Sequence, residues 1–161
     1  MTDPLSKRRL RLWIRLLRVT RLTEAQLREF LRVEHGSTLP RFDVMAALHR
    51  ADGDLSMTLT MTELSRMLLV SNGNTTTVVD RLELDGLVVR RQSAADRRVV
   101  HVALTEAGHR HFAQLAIDHE AQVDSLFSGV STKDLDALDA VLQRMTAQAT
   151  RAKGITHDID G

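Results

Sequence analysis

The chain has 161 residues, of which 43% are hydrophobic and only 3% aromatic, and its formal net charge is +1. This composition favours a globular domain with an aliphatic core and excludes a disordered or fibrous chain. The absence of cysteine excludes disulfides, thiolate metal sites and thiol-based redox sensing. Apolar runs are only a few residues long, so we expect no signal peptide, no membrane partner and a cytoplasmic location.

Charge is distributed unevenly along the chain. Lysine and arginine outnumber the acidic residues 11 to 7 in residues 1–61, stand at 6 to 5 in residues 62–105, and fall to 5 against 9 in residues 106–161. The middle segment is therefore barely basic. Any binding of nucleic acid by that segment must depend on a few well-placed groups instead of a broad positive field.

The first predicted element is a long amphipathic helix over residues 7–33. Its first half, Lys7 to Arg21, carries seven basic residues and no acid. A basic amphipathic helix can bind nucleic acid or a membrane surface. Alternatively, the arginine stems cover apolar surface in a dimer while their charged ends pair with acids elsewhere. We favour the dimer helix, because the C-terminal region supplies the complementary acids.

A helix, a short turn and a second helix are predicted over residues 61–86. Thr62 is the candidate N-cap of the first helix, whose apolar positions recur at helical spacing: Leu64, Met67 and Leu68. Ser71 follows the break and can cap a second helix that begins near Asn72. That helix is expected to end at Asp85, with Gly86 in the C′ position.

The second helix is expected to have one buried and one exposed face. Thr75, Val78, Val79 and Leu82 form the predicted inward stripe. Small hydroxyl and amide side chains near the N-terminus can approach base edges and phosphates without steric conflict. The candidate DNA-contacting residues of this helix are Ser71, Asn72, Gly73, Asn74, Thr76 and Thr77.

After Gly86 the pattern changes to the period of a β-hairpin. The predicted strands are residues 87–91 and 99–104, separated by a polar tip over residues 92–98. The tip contains Asp96, Arg97 and Arg98, and a carboxylate beside two guanidiniums can fix one arginine for insertion into a narrow minor groove. The alternative is a solvated hairpin that has no partner.

Two further helices are predicted, over residues 105–127 and 131–151. Ser131 and Asp134 make a plausible capping pair for the last helix. Its apolar stripe is broad enough for an interface and consists of Val130, Leu135, Leu138, Val141, Leu142 and Met145. Residues 52–54 are expected to form a turn, and residues 152–161 a flexible tail.

Several of these segments resemble the winged helix-turn-helix of the MarR family of bacterial transcription regulators. The matching motifs keep the family's order and spacing: Leu64-Ser65, Val70-Ser71, Asp80-Arg81-Leu82-Glu83, Gly86-Leu87-Val88, Asp96-Arg97-Arg98 and Leu104-Thr105-Glu106-Ala107-Gly108. Upstream, residues 38–45 resemble the start of the family's second helix, with Arg41 in place of the common Gln. The resemblance covers residues 8–150.

This resemblance implies an α+β, mainly helical fold. It predicts one domain over residues 1–151, with the helix-turn-helix and wing at about 57–105 and dimerisation helices at about 7–34 and 106–151. It also implies a homodimer that binds double-stranded DNA at a pseudo-palindromic operator. No catalytic motif is present, so we expect neither an enzyme nor a cofactor.

The expected function is repression that a small anionic ligand, aromatic or of the acyl-CoA type, relieves. Arginines of the first helix can neutralise the anion, and aromatic and apolar side chains can hold a ring. The candidate ligand-binding residues are Arg11, Trp13, Arg15, Phe42, Met45 and His49. Two alternatives stay open: a metal-responsive regulator that uses some of the seven histidines, although we predict no metal site, and a protein-interaction module that does not bind DNA.

Overall fold

The structure, a computed structural model, describes residues 4–52, 59–68, 72–93 and 96–152. The chain divides into two compact units, residues 1–123 and 124–161. In chain order the elements are α1 (Pro4–His35), α2 (Leu39–Asp52), β1 (Leu59–Thr60), α3 (Met61–Met67), α4 (Asn72–Leu84), β2 (Val88–Gln92), β3 (Val100–Leu104), α5 (Glu106–Phe127) and α6 (Thr132–Ala152). The predicted mainly helical α+β class is confirmed.

The three strands form one antiparallel sheet in the order β1-β3-β2. β2 and β3 are the predicted hairpin, in which Val88 lies opposite Leu104 and Gln92 opposite Val100. β1, which we did not predict, pairs its Leu59 with Val102. The hairpin is therefore the wing of a winged helix-turn-helix, and β1 attaches its base to the start of α3.

One apolar core holds the helix-turn-helix, the sheet and the start of α5 together. The inward side chains of α4, Val79 and Leu82, are fully buried, as is Leu64 of α3. The other members of this core come from α1, α2, the strands and α5: Leu31, Phe42, Val44, Met45, Ala47, Leu48, Ala51, Leu59, Val88, Val102, Leu104, Phe112 and Leu115. Burial on one side of α4 leaves its opposite side for contacts outside the chain.

The N-cap of α3 differs from our prediction. Thr60, and not Thr62, caps this helix: its hydroxyl accepts a hydrogen bond from the Glu63 N–H at 3.3 Å, and the Glu63 carboxylate accepts one from the Thr60 N–H at 2.8 Å. The bond from the Thr60 N–H, together with one from the Thr60 hydroxyl at 2.7 Å, lowers the pKa of the Glu63 carboxyl. The reciprocal capping box needs Glu three residues after the cap, and only Thr60 has it.

The second unit contains the end of α5 and the whole of α6. Ser131 caps α6 as predicted, because its hydroxyl accepts a hydrogen bond from the Asp134 N–H at 3.2 Å and donates one to the Asp134 carboxylate at 2.6 Å. The apolar stripe of α6 is exposed in the single chain, with Leu138, Val141 and Leu142 each more than a third accessible.

Three predicted features fall outside the described residues: the helix-turn-helix break at Ser71, most of the turn at residues 52–54, and all but the first residue of the tail at 152–161. Among the helices of the described residues, none has the length and apolar character needed to cross a bilayer.

Candidate nucleic-acid interface

α4 has a buried face that fixes it and an exposed face near its N-terminus. Thr75 is buried on the inner side, where its hydroxyl forms a 2.8 Å hydrogen bond with the hydroxyl of Ser65 in α3. This buried bond sets the register of α4 against α3. The predicted candidates Gly73, Asn74, Thr76 and Thr77 all lie on the exposed side. Thus the structure places these four residues together on one accessible surface.

Gly73 has no conformational reason to be glycine. Its φ is not positive, and a Cβ added there would meet no atom within 4 Å. Nearby, the Thr77 hydroxyl donates a 3.1 Å hydrogen bond to the Gly73 carbonyl, which leaves the hydroxyl oxygen able to accept another. The first turns of α4 therefore present a polar surface with only small side chains, and another molecule can approach the helix backbone closely there.

The tip of the wing is a turn that Asp96 organises. The Asp96 carbonyl accepts a hydrogen bond from the Val99 N–H at 2.9 Å, and its carboxylate accepts one from the Arg98 N–H at 2.9 Å. The second bond is the main cause of a lowered pKa at Asp96. The same carboxylate lies 3.3 Å from Nε of Arg98. Since the Arg98 side chain is 92% exposed, Asp96 orients a guanidinium that still points into solvent.

Arg90 holds the wing against α4. It lies on β2, two residues after the buried Val88, and so points to the same side of the strand. Its guanidinium donates one hydrogen bond to Asp80 at 2.6 Å and a second to Glu83. Burial alone would lower the pKa of Arg90, but these two carboxylates raise it. The hairpin and α4 are therefore joined by a partly buried ion pair.

A second arginine contacts the end of α4 from α2. Arg41, in the first turn of α2, donates a 2.5 Å hydrogen bond to Asp85, the residue that follows the last turn of α4. Arg41 stands at the position where the resembling family commonly has Gln. This ion pair therefore links the start of α2 to the end of α4.

These contacts change the electrostatics that we expected from the sequence. All five acids of residues 62–105 bond inside the protein: Glu63 to Thr60, Asp80 and Glu83 to Arg90, Asp85 to Arg41, and Asp96 to Arg98. In contrast, four arginines of that segment are exposed and form no ion pair within the described residues: Arg66, Arg81, Arg91 and Arg97. The positive charge that this segment offers to a partner is therefore concentrated at these four arginines.

Sequence reasoning missed Arg90 and Arg41 as residues that hold α4. A signal for Arg90 was present, because Asp80 and Glu83 are three apart on one helix face and Arg90 alternates with a buried valine on the next strand. For Arg41 no local signal exists, since its partner lies 44 residues away.

The structure does not bring the six candidate ligand-binding residues into one site within the described chain. Phe42 and Met45 are buried in the core, and His49 is exposed on α2. Arg11, Trp13 and Arg15 are exposed in the first half of α1, about 20 Å along the helix from its first buried residue, Leu27. In addition, residues two apart on a helix point to different sides, so Trp13 faces away from both arginines.

Three histidines of α2 and α5 contact other rings. His49 packs against Phe112 at 4.9 Å and His109 at 5.8 Å between ring centroids. His119 stacks on Phe42 at 4.0 Å, and burial lowers the pKa of His119. In the described part of the chain, no three His, Cys, Asp or Glu side chains are grouped so that they could hold a metal ion.

Comparison with known proteins assigns the family. Residues 35–99 match the sequence profile of the MarR family. The crystal structure of a MarR family transcriptional regulator from Silicibacter pomeroyi is similar to this chain at a TM-score of 0.74 and 32% identity, over 92% of this chain and 99% of that one. The likeness therefore extends over almost the whole of both proteins.

Two sequence relatives agree. The HTH-type transcriptional regulator MhqR of Bacillus subtilis (strain 168) is 28% identical over 146 residues, which are 90% of this chain and 96% of the relative. The transcriptional repressor MprA of Escherichia coli (strain K12) is 34% identical over 86 residues, which are 53% of this chain and 49% of that relative. With its winged helix-turn-helix and these similarities, the chain belongs to the MarR family of DNA-binding transcriptional regulators.

Proposed function

We propose that this chain is a homodimeric repressor that recognises a pseudo-palindromic operator through α4 and the wing, and that a small anionic ligand releases it from DNA. The observation that carries the proposal is the exposed N-terminal surface of α4 next to a scaffold that buries its other side. The proposed DNA contacts are Ser71, Asn72, Gly73, Asn74, Thr76 and Thr77 of the recognition helix region and Asp96, Arg97 and Arg98 of the wing.

The chemistry of these residues fits the two grooves of DNA. Small polar side chains on α4 suit hydrogen bonds with base edges in the major groove, and a projecting arginine suits the narrow minor groove. The exposed arginines at 66, 81, 91 and 97 can neutralise phosphates, which supplies affinity without sequence preference. Repression is supported by the relative MprA, whose name describes a transcriptional repressor.

Gly73 offers a direct test of DNA contact. A Cβ at position 73 would meet no atom within 4 Å, and the change Gly73→Leu also removes a helix-weakening glycine, so we expect stability to be kept or to rise by about 0.5–1 kcal/mol. The added side chain would meet DNA, so operator affinity in a mobility-shift assay should fall by at least about tenfold. Gly129→Leu is the matched control, because Gly129 is also open and has no positive φ.

The assay needs operator DNA, which is found by selecting bound duplexes from a random library and comparing them with the region upstream of the chain's own gene. We expect a pseudo-palindrome with half-sites about 10 bp apart, since a two-fold dimer must match the helical repeat. If Gly73→Leu and Gly129→Leu bind this DNA as tightly as the parent, α4 does not read the operator. If no duplex is enriched, the chain is instead a protein-interaction module.

Homodimer formation is supported by apolar side chains that the single chain leaves exposed. Leu10 and Ile14 of α1 are more than half accessible, and α6 exposes its whole stripe. Monomeric proteins rarely expose apolar surface on this scale. A second copy of the chain is the partner we propose, because a two-fold dimer is the common arrangement that also matches a pseudo-palindromic site.

Charged substitutions test this interface. Leu138→Glu or Leu142→Glu should convert the dimer to monomer at micromolar concentration in sedimentation experiments and weaken operator binding at the same time. Ala140→Glu adds the same charge at an exposed position on the side of α6 opposite the apolar stripe, and should do neither. A parent chain that sediments as a monomer and still binds the operator tightly would contradict the homodimer.

For the effector, four of the candidate residues are accessible in the single chain: Arg11, Trp13, Arg15 and His49. We propose that an aromatic anion binds in one of two ways: its charge pairs with Arg11 and Arg15, or its ring stacks on Trp13. A tenfold loss of DNA affinity requires only about 1.4 kcal/mol of preference for the DNA-free state.

Calorimetry with benzoate, cinnamate and a CoA thioester identifies the class of effector, and mobility shift shows whether it releases DNA. The double change Arg11→Gln/Arg15→Gln and the change Trp13→Ala should each be compared with Arg18→Gln. If these compounds do not bind, and zinc or a chelator changes operator affinity instead, the effector is a metal ion.

A further inference from the structure

The end of α4 is joined to the start of α5 through the two residues Gly86 and Leu87. Gly86 has a φ of +71° and follows the helix in the C′ position. The Gly86 N–H donates to the Glu83 carbonyl and the Leu87 N–H to the Leu82 carbonyl, both at 2.9 Å. These two hydrogen bonds form a Schellman motif, which ends α4 and uses the N–H groups of both Gly86 and Leu87.

The two carbonyls of the same pair bind Thr105, the N-cap of α5. The Thr105 hydroxyl donates a 2.7 Å hydrogen bond to the Gly86 carbonyl, and the Thr105 N–H donates a 3.0 Å bond to the Leu87 carbonyl. The Thr105 hydroxyl also accepts the Gly108 N–H at 3.0 Å and so caps α5. All four backbone polar groups of Gly86 and Leu87 are thus bonded, two to α4 and two to Thr105.

Gly108 permits this close approach. A Cβ at position 108 would lie 2.0 Å from the Leu87 carbonyl oxygen, a distance that requires the backbone to move. The first turn of α5 therefore rests directly on the peptide that ends α4. We call Gly86, Leu87, Thr105 and Gly108 the α4–α5 joint.

We propose that Thr105 is a positioning residue that fixes the orientation of the recognition helix relative to α5 through its hydrogen bond to the Gly86 carbonyl. The inference rests on the DNA-reading role proposed for α4. It adds that α5 controls the orientation of α4 at Thr105. Thr105 itself need not touch DNA. A movement of α5 would be transmitted to α4 through this joint, because the backbone at Gly108 lies directly against the Leu87 carbonyl, with no side chain between them.

The two roles of the Thr105 hydroxyl can be separated by substitution. Thr105→Ser keeps both the donor and the cap. Thr105→Asp keeps a good N-cap acceptor, but a carboxylate cannot donate to the Gly86 carbonyl. Thr105→Val loses both, so its thermal midpoint should fall by about 2–4 °C. Adding Glu106→Gln to Thr105→Asp restores the net charge at the neighbouring exposed position.

The decisive readout is the ratio of affinities for operator and unrelated duplex at one salt concentration. A misplaced recognition helix loses specific contacts and keeps phosphate contacts, whereas partial unfolding lowers both affinities equally. We expect Thr105→Ser to match the parent, and Thr105→Asp, with or without Glu106→Gln, to lose about tenfold in this ratio. If Thr105→Asp keeps the parent ratio, the hydroxyl only caps α5 and the proposal is wrong.

A measurement without DNA keeps the inference separate from the proposed function. The chain has no cysteine, so spin labels at Arg81→Cys in α4 and Ala113→Cys in α5, diluted with unlabelled protein, report the distance between these helices. Thr105→Asp should broaden or shift the distance distribution, and Thr105→Ser should not. An unchanged distribution in Thr105→Asp overturns the joint. A parent that does not distinguish operator from unrelated DNA overturns the DNA-reading role instead.

Discussion

Arg90 and Arg98 belong to the same hairpin and lie eight residues apart, yet they have opposite surroundings. Arg90 is only 24% exposed and binds two carboxylates of α4, whereas Arg98 is 92% exposed and binds a carboxylate of its own turn. The difference lies in where the acids are placed. Acids on another element bind an arginine to the scaffold, and an acid in the same turn orients an arginine toward solvent.

This contrast separates two kinds of defect that a substitution in the wing can cause. Loss of a scaffold arginine should first lower the free energy of unfolding, and DNA binding only as a consequence. Loss of the oriented arginine should lower DNA affinity and leave stability unchanged.

The largest effect is expected for Arg90→Ala. It would leave Asp80 and Glu83, three residues apart on one helix, without their shared cation, so we expect the free energy of unfolding to fall by about 2–3 kcal/mol, between the values for buried and surface pairs. Urea denaturation measures this change. The control is Arg91→Ala, which removes an exposed arginine from the same strand and should change stability by less than about 0.5 kcal/mol.

Arg98→Ala should reduce operator affinity by about 1–3 kcal/mol, the range for a lost groove contact, at unchanged stability. Mobility shift at fixed salt tests the affinity, and Arg144→Ala in α6 controls for the loss of one positive charge. Equal operator binding by Arg98→Ala and the parent would show that the wing tip does not enter a groove, and a fall in its urea midpoint would show that Arg98 resembles Arg90.

Asp96→Ala should act in the same direction as Arg98→Ala but by less than about 1 kcal/mol, because the arginine stays present and loses only its orientation. The direction of the change in operator affinity is the informative result. Removing a negative charge from a DNA-binding surface normally strengthens binding. Stronger operator binding by Asp96→Ala would therefore mean that Asp96 repels DNA and does not prepare Arg98.

The smallest effect is expected for a group that loses its charge on folding. Burial lowers the pKa of His119 in the folded protein. Below about pH 6.5, the pKa of a histidine in the unfolded chain, the unfolded chain therefore binds a proton at this residue more strongly than the folded chain does. Stability should consequently fall as pH is lowered from that value towards the folded pKa. His119→Phe keeps an aromatic ring against Phe42 and should reduce this slope in urea titrations; an identical slope would contradict the assignment.

Features that depend on residues close in sequence could be predicted. The end of α4 at Gly86 and the cap of α6 at Ser131 arise from hydrogen bonds within a few residues. The hairpin was predicted from the alternation of side chains along each of its strands. The capping error at α3 had the same local basis. Thr60 and Thr62 are both suitable caps, and the position of Glu63 relative to each decides between them.

Features that depend on tertiary contacts could not be predicted. The hydrogen bonds between Arg41 and Asp85 and between Thr105 and Gly86 form only after the chain has folded back on itself. The need for glycine at position 108 likewise comes from the carbonyl of Leu87, 21 residues earlier. The relative positions of the candidate ligand-binding residues also depend on tertiary structure, because burial and helix direction decide which of the suitable side chains are accessible together.

The long α1 also has a consequence for how the protein responds to its own abundance. Only Leu27 and Leu31 of its 32 residues are buried, and a long helix that buries so few side chains gains little stability from tertiary packing. If a second copy covers the exposed apolar side chains, association and helix formation are one equilibrium. We therefore expect the thermal midpoint to rise with protein concentration. A cell that makes little of this protein would then hold much of it in a form that is both less folded and unable to occupy the operator.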